Sequence, residues 1–184
     1  RVKPFVIPHS ALLVVGFFIV AVTDKHELHL WFNQWHTPFF DGVFKYATKL
    51  AEEWSIITLI LLALIYKLRY GVAIGLGLAA SGVTTQMLKR FVFAEELRPM
   101  RVFEGIADLH FVEGVTLHQI HSFPSGHATA AFAIGLSLAF LLPKAWMKLA
   151  ALGLSLCVAF SRVYLSQHFF EDILAGSVVG ISVP

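Results

Sequence analysis

The sequence predicts an all-α fold, a bundle of six transmembrane helices with an interfacial amphipathic helix and an active-site loop on the outer face. The first observation is composition: of 184 residues, 57% are hydrophobic and 14% are charged, with a mean hydropathy of +0.73. A soluble core of this size cannot bury so many apolar side chains. The second observation is that the apolar residues form six helix-length runs, which the chain length places in one integral-membrane domain, residues 1–184.

The apolar runs have the lengths of membrane spans. The first five contain about 15 to 19 residues, or about 22 to 28 Å as helix, which approaches the hydrocarbon thickness of a bilayer. The sixth is shorter and the chain begins with Arg1 rather than Met, so we expect trimming at both ends. Gly176-x-x-x-Gly180 in the sixth run predicts close helix packing. The runs are Val6–Val22, Trp54–Leu68, Tyr70–Leu88, Ala128–Leu142, Ala145–Val163 and Ile173–Val183.

The distribution of charge predicts the orientation in the membrane. With six spans, all twelve acidic residues fall on one side. The other side, which includes the N-terminus, carries only basic residues: Arg1, Lys3, Lys67, Arg69, Lys144 and Lys148. The excess of Lys and Arg marks that side as cytoplasmic. We therefore expect a protein of the bacterial inner membrane whose polar motifs lie on the periplasmic or extracytoplasmic face.

The segment Glu27–Lys49 has the pattern of an interfacial amphipathic helix. Leu28, Trp31, Trp35 and Phe39 recur near helical spacing among polar residues, which is typical of an aromatic belt at the membrane surface. Two roles are open: the segment anchors the first two spans at a fixed depth, or it forms a wall of the path by which lipid reaches the site.

A histidine and a carboxylate stand together at the start of the last apolar run. His168 and Asp172 are four residues apart, so a helix places them on one face. The carboxylate can hold one ring nitrogen and leave the other free as a nucleophile. Arg162, near the end of the fifth run, offers a planar fork of donors that suits phosphate oxygens. Ionisable groups beside membrane spans are costly and mark functional sites.

The sequence Pro124-Ser125-Gly126-His127 opens the fourth run. Ser125 is a candidate N-cap, and Gly126 lets the backbone approach a ligand. The free N–H groups and the positive end of the helix would bind an anion. His127 stands within one turn of that anion, where it can act as a general acid.

Together these motifs resemble the signature of the type-2 phosphatidic acid phosphatase family. That signature consists of Lys-x6-Arg-Pro, Pro-Ser-Gly-His and Ser-Arg-x5-His-x3-Asp. The second element is complete here, and the third is complete from Ser161-Arg162 through His168 to Asp172. The six-span layout agrees, so the resemblance covers nearly the whole chain.

The first element departs from the family pattern. Arg98-Pro99 matches, but Phe91 stands where the family has its lysine. Lys89 lies two residues earlier and Arg90 one residue earlier. An insertion before Arg98 would restore the geometry, and the spacing leaves open which of the two cations contacts phosphate.

The resemblance implies a metal-independent phosphatase that needs no cofactor. His168 would attack phosphorus, with support from Asp172. His127 would protonate the leaving oxygen and then activate the water that hydrolyses the phosphohistidine. Positive side chains and backbone N–H groups would neutralise the other oxygens. These phosphate-binding residues would be Lys89 or Arg90, Arg98, Ser125, Gly126 and Arg162.

The expected partners are a lipid phosphate substrate and membrane lipids. An outward-facing bacterial site suits undecaprenyl diphosphate, phosphatidylglycerol phosphate, phosphatidic acid or lipid A. The net charge of +2 does not indicate nucleic-acid binding. The sequence does not determine which lipid is used or the oligomeric state.

Two other functions fit parts of the pattern. A metal-dependent membrane hydrolase could use His118 and His121 together with the catalytic residues as ligands, but the nearby cations would repel a metal. A non-catalytic lipid-phosphate binder or transporter would not need both histidines and the carboxylate. We expect His110, His118 and His121 to be solvated residues of the outer connection, next to the pocket.

Overall fold

The computed structural model describes residues 1–183, which form an all-helical fold without a β-sheet. A 3-10 turn, Thr48–Ala51, precedes α4, and a π-helical turn, Leu88–Val92, follows α5. The helices are α1 Lys3–Val22, α2 Lys25–Asn33, α3 Pro38–Ala47, α4 Glu53–Tyr66, α5 Leu68–Met87, α6 Pro99–Val102, α7 Gly126–Leu141, α8 Ala145–Tyr164 and α9 Phe170–Ser182.

The six apolar runs correspond to α1, α4, α5, α7, α8 and α9. Within the described residues, three helical stretches are long and apolar enough to cross a membrane: Lys3–Val22, Leu68–Val92 and Ala145–Tyr164. Helices α4 and α7 are apolar but shorter, with 14 and 16 residues, and α9 has 13. The fold is therefore an all-α membrane fold, and the number of spans stays a prediction.

The segment Glu27–Lys49 contains two helices, so the prediction of one continuous interfacial helix is wrong. A proline disfavours helical geometry at the residue before it, and Thr37, which precedes Pro38, is extended with φ −146°. The Thr37 hydroxyl instead caps α3 by accepting the N–H of Phe40. Aromatic side chains of both helices and of the turn between them remain exposed, as expected at an interface: Trp31, Trp35 and Phe39.

Helix α9 lies directly against α7. A Cβ on Gly176 would stand 2.5 Å from the carbonyl oxygen of Ser125, and a Cβ on Gly180 would stand 2.5 Å from that of Thr129. Only glycine allows backbones to come this close. The spacing of these glycines correctly predicted the close packing, which brings the first turns of α7 and α9 side by side.

Helices α1 and α8 complete the packing around α7. Phe5 of α1 is fully buried against Phe132 of α7 in an edge-to-face contact. The hydroxyl of Ser155 in α8 donates to the carbonyl of Ala131 at 2.9 Å. Helix α7 is thus enclosed by other helices, and its first turn is held in place for the site described next.

Candidate active site

A tight turn after α8 carries the chain into the site. The N–H groups of Gln167 and His168 both donate to the carbonyl of Arg162, at 2.9 and 3.1 Å. Ser166 has φ 52°, which reverses the chain direction. These bonds place His168 at the entrance of α9, one helical turn before Asp172.

His168 and Asp172 form the expected pair. The His168 Nδ1 lies 3.1 Å from the Asp172 Oδ2, and each residue is only 1% exposed. The same oxygen accepts the Ser122 hydroxyl and the N–H of Phe169. A carboxylate fixed in this way keeps the proton on Nδ1 and leaves the lone pair of Nε2 available.

The surroundings of His168 favour its neutral form. Burial, followed by the positive charges of Arg98 and Lys89, holds the pKa of His168 well below its ordinary value of 6.5. An unprotonated imidazole is the form that acts as a nucleophile.

Three buried cationic side chains surround this histidine. Lys89, Arg98 and Arg162 are 7%, 8% and 6% exposed. Lys89 and Arg98 both donate to the carbonyl of His121, while Arg98 and Arg162 both donate to Gln167. At Gln167, Arg98 donates to the backbone carbonyl and Arg162 to the side-chain oxygen, so the three positive groups are neighbours.

The guanidinium of Arg162 is only partly satisfied by protein groups. It donates to the Thr48 hydroxyl at 2.7 Å and to Gln167 at 3.4 Å. Its Nε is buried and has no hydrogen-bond partner among the described residues. A buried donor without an acceptor is costly, so this nitrogen is a candidate contact for a substrate oxygen.

A π-helical turn at Lys89 accounts for one of the two residues by which the first motif is displaced. The N–H of Phe93 reaches the carbonyl of Leu88, five residues back, at 2.8 Å, and such a turn holds an extra residue. Lys89 is buried in the site, whereas Arg90 is exposed and Phe91 is 81% exposed. The structure therefore does not bring Arg90 to the site, because adjacent helical side chains point in different directions.

The Pro-Ser-Gly-His motif forms the N-terminus of α7. The Ser125 hydroxyl caps the helix, and its N–H donates to the carbonyl of Asp172 at 2.9 Å. That N–H is thus engaged, contrary to the phosphate contact expected for it. Gly126 and His127 follow as the first two helical residues, whose N–H groups lack intrahelical acceptors. No described heavy atom lies within 4 Å of a Cβ built on Gly126, so the space beside it is open.

Several site residues were not predicted from the sequence. Ser122 and Thr48 are short polar residues without a distinctive pattern. Gln167 lies inside the third motif, so its position was a signal that could have identified it. His121 contributes its carbonyl rather than its imidazole.

The histidines of the outer connection lie in different surroundings. Burial, with Arg98 and Arg162, lowers the pKa of the exposed His118, which therefore lies near the cations rather than only in solvent. His110, in contrast, lies with His36 and Asp41 in a group of three side chains that could hold a metal ion.

Comparison with known families identifies the fold. The profile described as the PAP2 superfamily matches residues 70–183, more than half of the chain. The chain belongs to the PAP2 superfamily. As a PAP2 protein it is a membrane phosphatase, an enzyme that hydrolyses phosphate esters in lipid metabolism.

Two curated relatives extend over most of this PAP2 chain. A lipid A 4'-phosphatase from Bacteroides thetaiotaomicron is 28% identical over 159 residues, which cover 84% of this chain and 71% of that protein. An undecaprenyl-diphosphatase from Sulfolobus acidocaldarius is 29% identical over 143 residues, which cover 76% and 65%.

Two crystal structures share the PAP2 fold. LpxE from Aquifex aeolicus superposes with a TM-score of 0.74 at 23% identity, covering 84% of this chain and 88% of that one. A transmembrane PAP2-type phosphatidylglycerolphosphate phosphatase from Bacillus subtilis gives 0.68 at 22% identity, covering 98% and 92%. At these identities the likeness concerns the fold alone.

Proposed function

We propose that this PAP2 protein removes phosphate from a lipid phosphate or diphosphate through a phosphohistidine intermediate, without a metal ion. The observation that carries the proposal is the charge of the buried site. Lys89, Arg98 and Arg162 surround His168, and the carboxylate of Asp172 is already bonded to that histidine. Buried charges need partners, and a phosphate dianion would supply the missing negative charge.

In the first step, Nε2 of His168 attacks phosphorus and the bond to the lipid oxygen breaks. His127 gives a proton to that oxygen as it leaves. Asp172 stabilises the positive charge that develops on the imidazole, as the carboxylate does in hydrolase triads. The cations and the N–H groups of Gly126 and His127 hold the other phosphate oxygens.

In the second step, His127 takes a proton from water, which attacks the phosphohistidine. The P–N bond breaks, inorganic phosphate is released, and His168 returns to its neutral form. The surroundings that lower the pKa of His168 also make its imidazole a better leaving group.

A cavity beside the site suits a lipid tail. It has a volume of about 450 Å³, lies between α4, α5 and α7, and includes Gly126 in its lining. The rest of the lining is mostly apolar or small, including Ile56, Ile60, Leu78 and Ala130. An apolar cavity that ends at a phosphate site favours an amphiphilic substrate.

The substrate would belong to the envelope lipids named earlier: undecaprenyl diphosphate, lipid A, phosphatidylglycerol phosphate or phosphatidic acid. The lipid A and undecaprenyl diphosphate activities of the curated relatives support this range. The distribution of charge supports a bacterial inner-membrane location with the site on the extracytoplasmic face.

The proposal is tested by offering the purified protein these four lipids in excess EDTA. We expect turnover of at least one lipid, and a labelled phosphoenzyme that is stable in base and labile in acid. His168→Ala should give neither, whereas His26→Ala, a histidine on α2, should give both. Turnover by His168→Ala would exclude the covalent scheme. Loss of turnover in EDTA that zinc restores both in the wild type and in a His36→Ala variant would exclude the metal-independent chemistry.

A further inference from the structure

A second cluster of ionisable side chains lies outside the phosphatase site. His36 is in the turn between α2 and α3, Asp41 is in the first turn of α3, and His110 is in the outer connection between α6 and α7. Nε2 of His110 lies 3.1 Å from Oδ2 of Asp41, and Nδ1 of His36 lies 3.6 Å from Oδ1. One ligand atom from each residue comes within 4.8 Å of the others.

These separations are close to those of a metal centre. Zinc binds histidine nitrogen and carboxylate oxygen at about 2.0 to 2.2 Å, so two ligands of a tetrahedral ion are about 3.4 Å apart. The imidazoles of His36 and His110 already face each other, with ring centroids 3.7 Å apart. Only small side-chain movements would be needed to enclose an ion.

The ring nitrogens of His36 are available to bind a metal ion. Both of its ring nitrogens are buried, and neither has a hydrogen-bond partner among the described residues. A neutral imidazole always carries one N–H donor and one acceptor, and leaving both unsatisfied is unfavourable. An ion bound to one nitrogen would satisfy that nitrogen.

We propose that His36, Asp41 and His110 bind a divalent transition-metal ion of the zinc type, with water as the fourth ligand. Two imidazoles and one carboxylate match the donor preferences of zinc. The side chains of these residues are 14%, 21% and 44% exposed, so an ion from solution can reach them.

The ion would cross-link the outer connection, through His110, to the α2–α3 pair, through His36 and Asp41. The backbone of His110 is already clasped by Asn33, whose side chain accepts its N–H at 3.0 Å and donates to its carbonyl at 3.3 Å. Farther along, the same connection supplies the carbonyl of His121 and the hydroxyl of Ser122 to the phosphatase site. The metal would therefore stabilise the segment that carries these groups and take no part in the chemistry.

The test measures zinc binding to the intact protein in detergent. EDTA-stripped protein is titrated with zinc, and bound metal is counted after gel filtration. We expect one equivalent per chain and a higher thermal midpoint with zinc. His36→Ala and His110→Ala should each weaken binding by at least about 10- to 100-fold, the loss that even outer-shell partners cause.

His26→Ala is the matched control. Nδ1 of His26 lies 3.7 Å from the carboxylate of Asp24, so this pair resembles the proposed site but lacks a third ligand. The control should bind zinc like the wild type. X-ray absorption at the zinc edge of the wild-type protein, which needs no variant, should show two imidazole ligands.

Either of two results would overturn the proposal: no retained zinc in the wild type, or equal retention in wild type and both histidine variants. A fold check by gel filtration and circular dichroism accompanies each variant. The quantities measured here are bound zinc and thermal stability rather than phosphate turnover. Absence of zinc binding therefore does not contradict the proposed reaction, and absence of the reaction does not contradict the metal site.

Discussion

The side chains of Lys89 and Arg90 occupy different environments although they are neighbours in sequence. Lys89 is buried and donates to the carbonyl of His121 at 2.9 Å, while Arg90 faces outward. We expect Lys89→Ala to lower the rate by about 10²- to 10³-fold, the loss typical for one charge-stabilising donor. Arg90→Ala should stay near the wild-type rate.

The measurement is the single-turnover rate of phosphoenzyme formation with each variant. Lys89→Met retains most of the side-chain volume, so a loss there as well would assign the effect to charge rather than to packing. Similar, mild effects of Lys89→Ala and Arg90→Ala would mean that neither residue binds phosphate.

The positive charge of Arg98 influences the pH dependence of the reaction through the pKa of His168. The neutral form of His168 attacks, and its pKa is held below 6.5 by burial and by nearby cations, Arg98 foremost among them. Activity should therefore fall on the acid side of the pH profile only below pH 6.5, where His168 becomes protonated. This fall is the acid limb of the profile. Removing the positive charge in Arg98→Gln raises the pKa, so the acid limb should move to higher pH.

The pH profiles of wild type and Arg98→Gln are compared with one substrate, so that the ionisation of the substrate is common to both. Arg101→Gln, which changes an exposed arginine on α6, serves as the control. A slower Arg98→Gln enzyme with an unshifted acid limb would restrict Arg98 to phosphate binding.

Residue identities at the site were predictable where motif and spacing agreed. His168, Asp172, Arg162 and Arg98 come together in the structure as buried side chains, and their roles in the reaction stay predictions. Contacts made by backbone groups were harder to predict from the sequence, because any residue type can provide a carbonyl, as His121 does for Lys89. The same limit explains why the engaged N–H of Ser125 was missed.

At the scale of helices, the contact between α7 and α9 determines how the two halves of the site meet. Gly176→Ala would place a Cβ 2.5 Å from the backbone oxygen of Ser125, where no flexible side chain can yield. We expect a loss of about 1 to 3 kcal/mol in stability, as for other overpacked positions. Turnover should also fall, because the N-terminus of α7 would move away from α9.

Thermal unfolding in detergent and turnover are measured together for this variant. Gly153→Ala in α8 is the control, since no heavy atom of the described residues lies within 4 Å of the added carbon. That change should be neutral or stabilising by up to about 1 kcal/mol through helix propensity. Equal midpoints for the two variants would contradict the packing argument.

The helices themselves were largely predictable, because the apolar runs are long and bounded by turns. Two local features were not. The π-helical turn at Leu88–Val92 contains the buried Lys89, and no residue propensity in the sequence marks it. The break at Thr37-Pro38 had a signal in the proline, but the aromatic periodicity across it suggested one helix.

At the scale of the whole molecule, the orientation in the membrane is open to a direct test. In a Cys157→Ser background, a cysteine replaces either Glu113 in the outer connection or Lys67 in the turn between α4 and α5. In whole bacterial cells, a membrane-impermeant maleimide should label the first and spare the second until the cells are lysed. The reverse pattern would place the phosphatase site in the cytoplasm.

The exposed aromatic side chains of α2 and α3 have a consequence for the choice of substrate. Asp41 of α3 accepts the hydroxyl of Tyr164 at 2.6 Å, and Tyr164 is two residues from Arg162. This hydrogen bond connects the aromatic belt to the helix that carries Arg162. With the belt at the membrane surface, the phosphate site would stay at a fixed height above the acyl chains. The enzyme would then select lipids partly by head-group length, because the distance between the phosphate and the acyl chains must match the height of the site above the hydrocarbon.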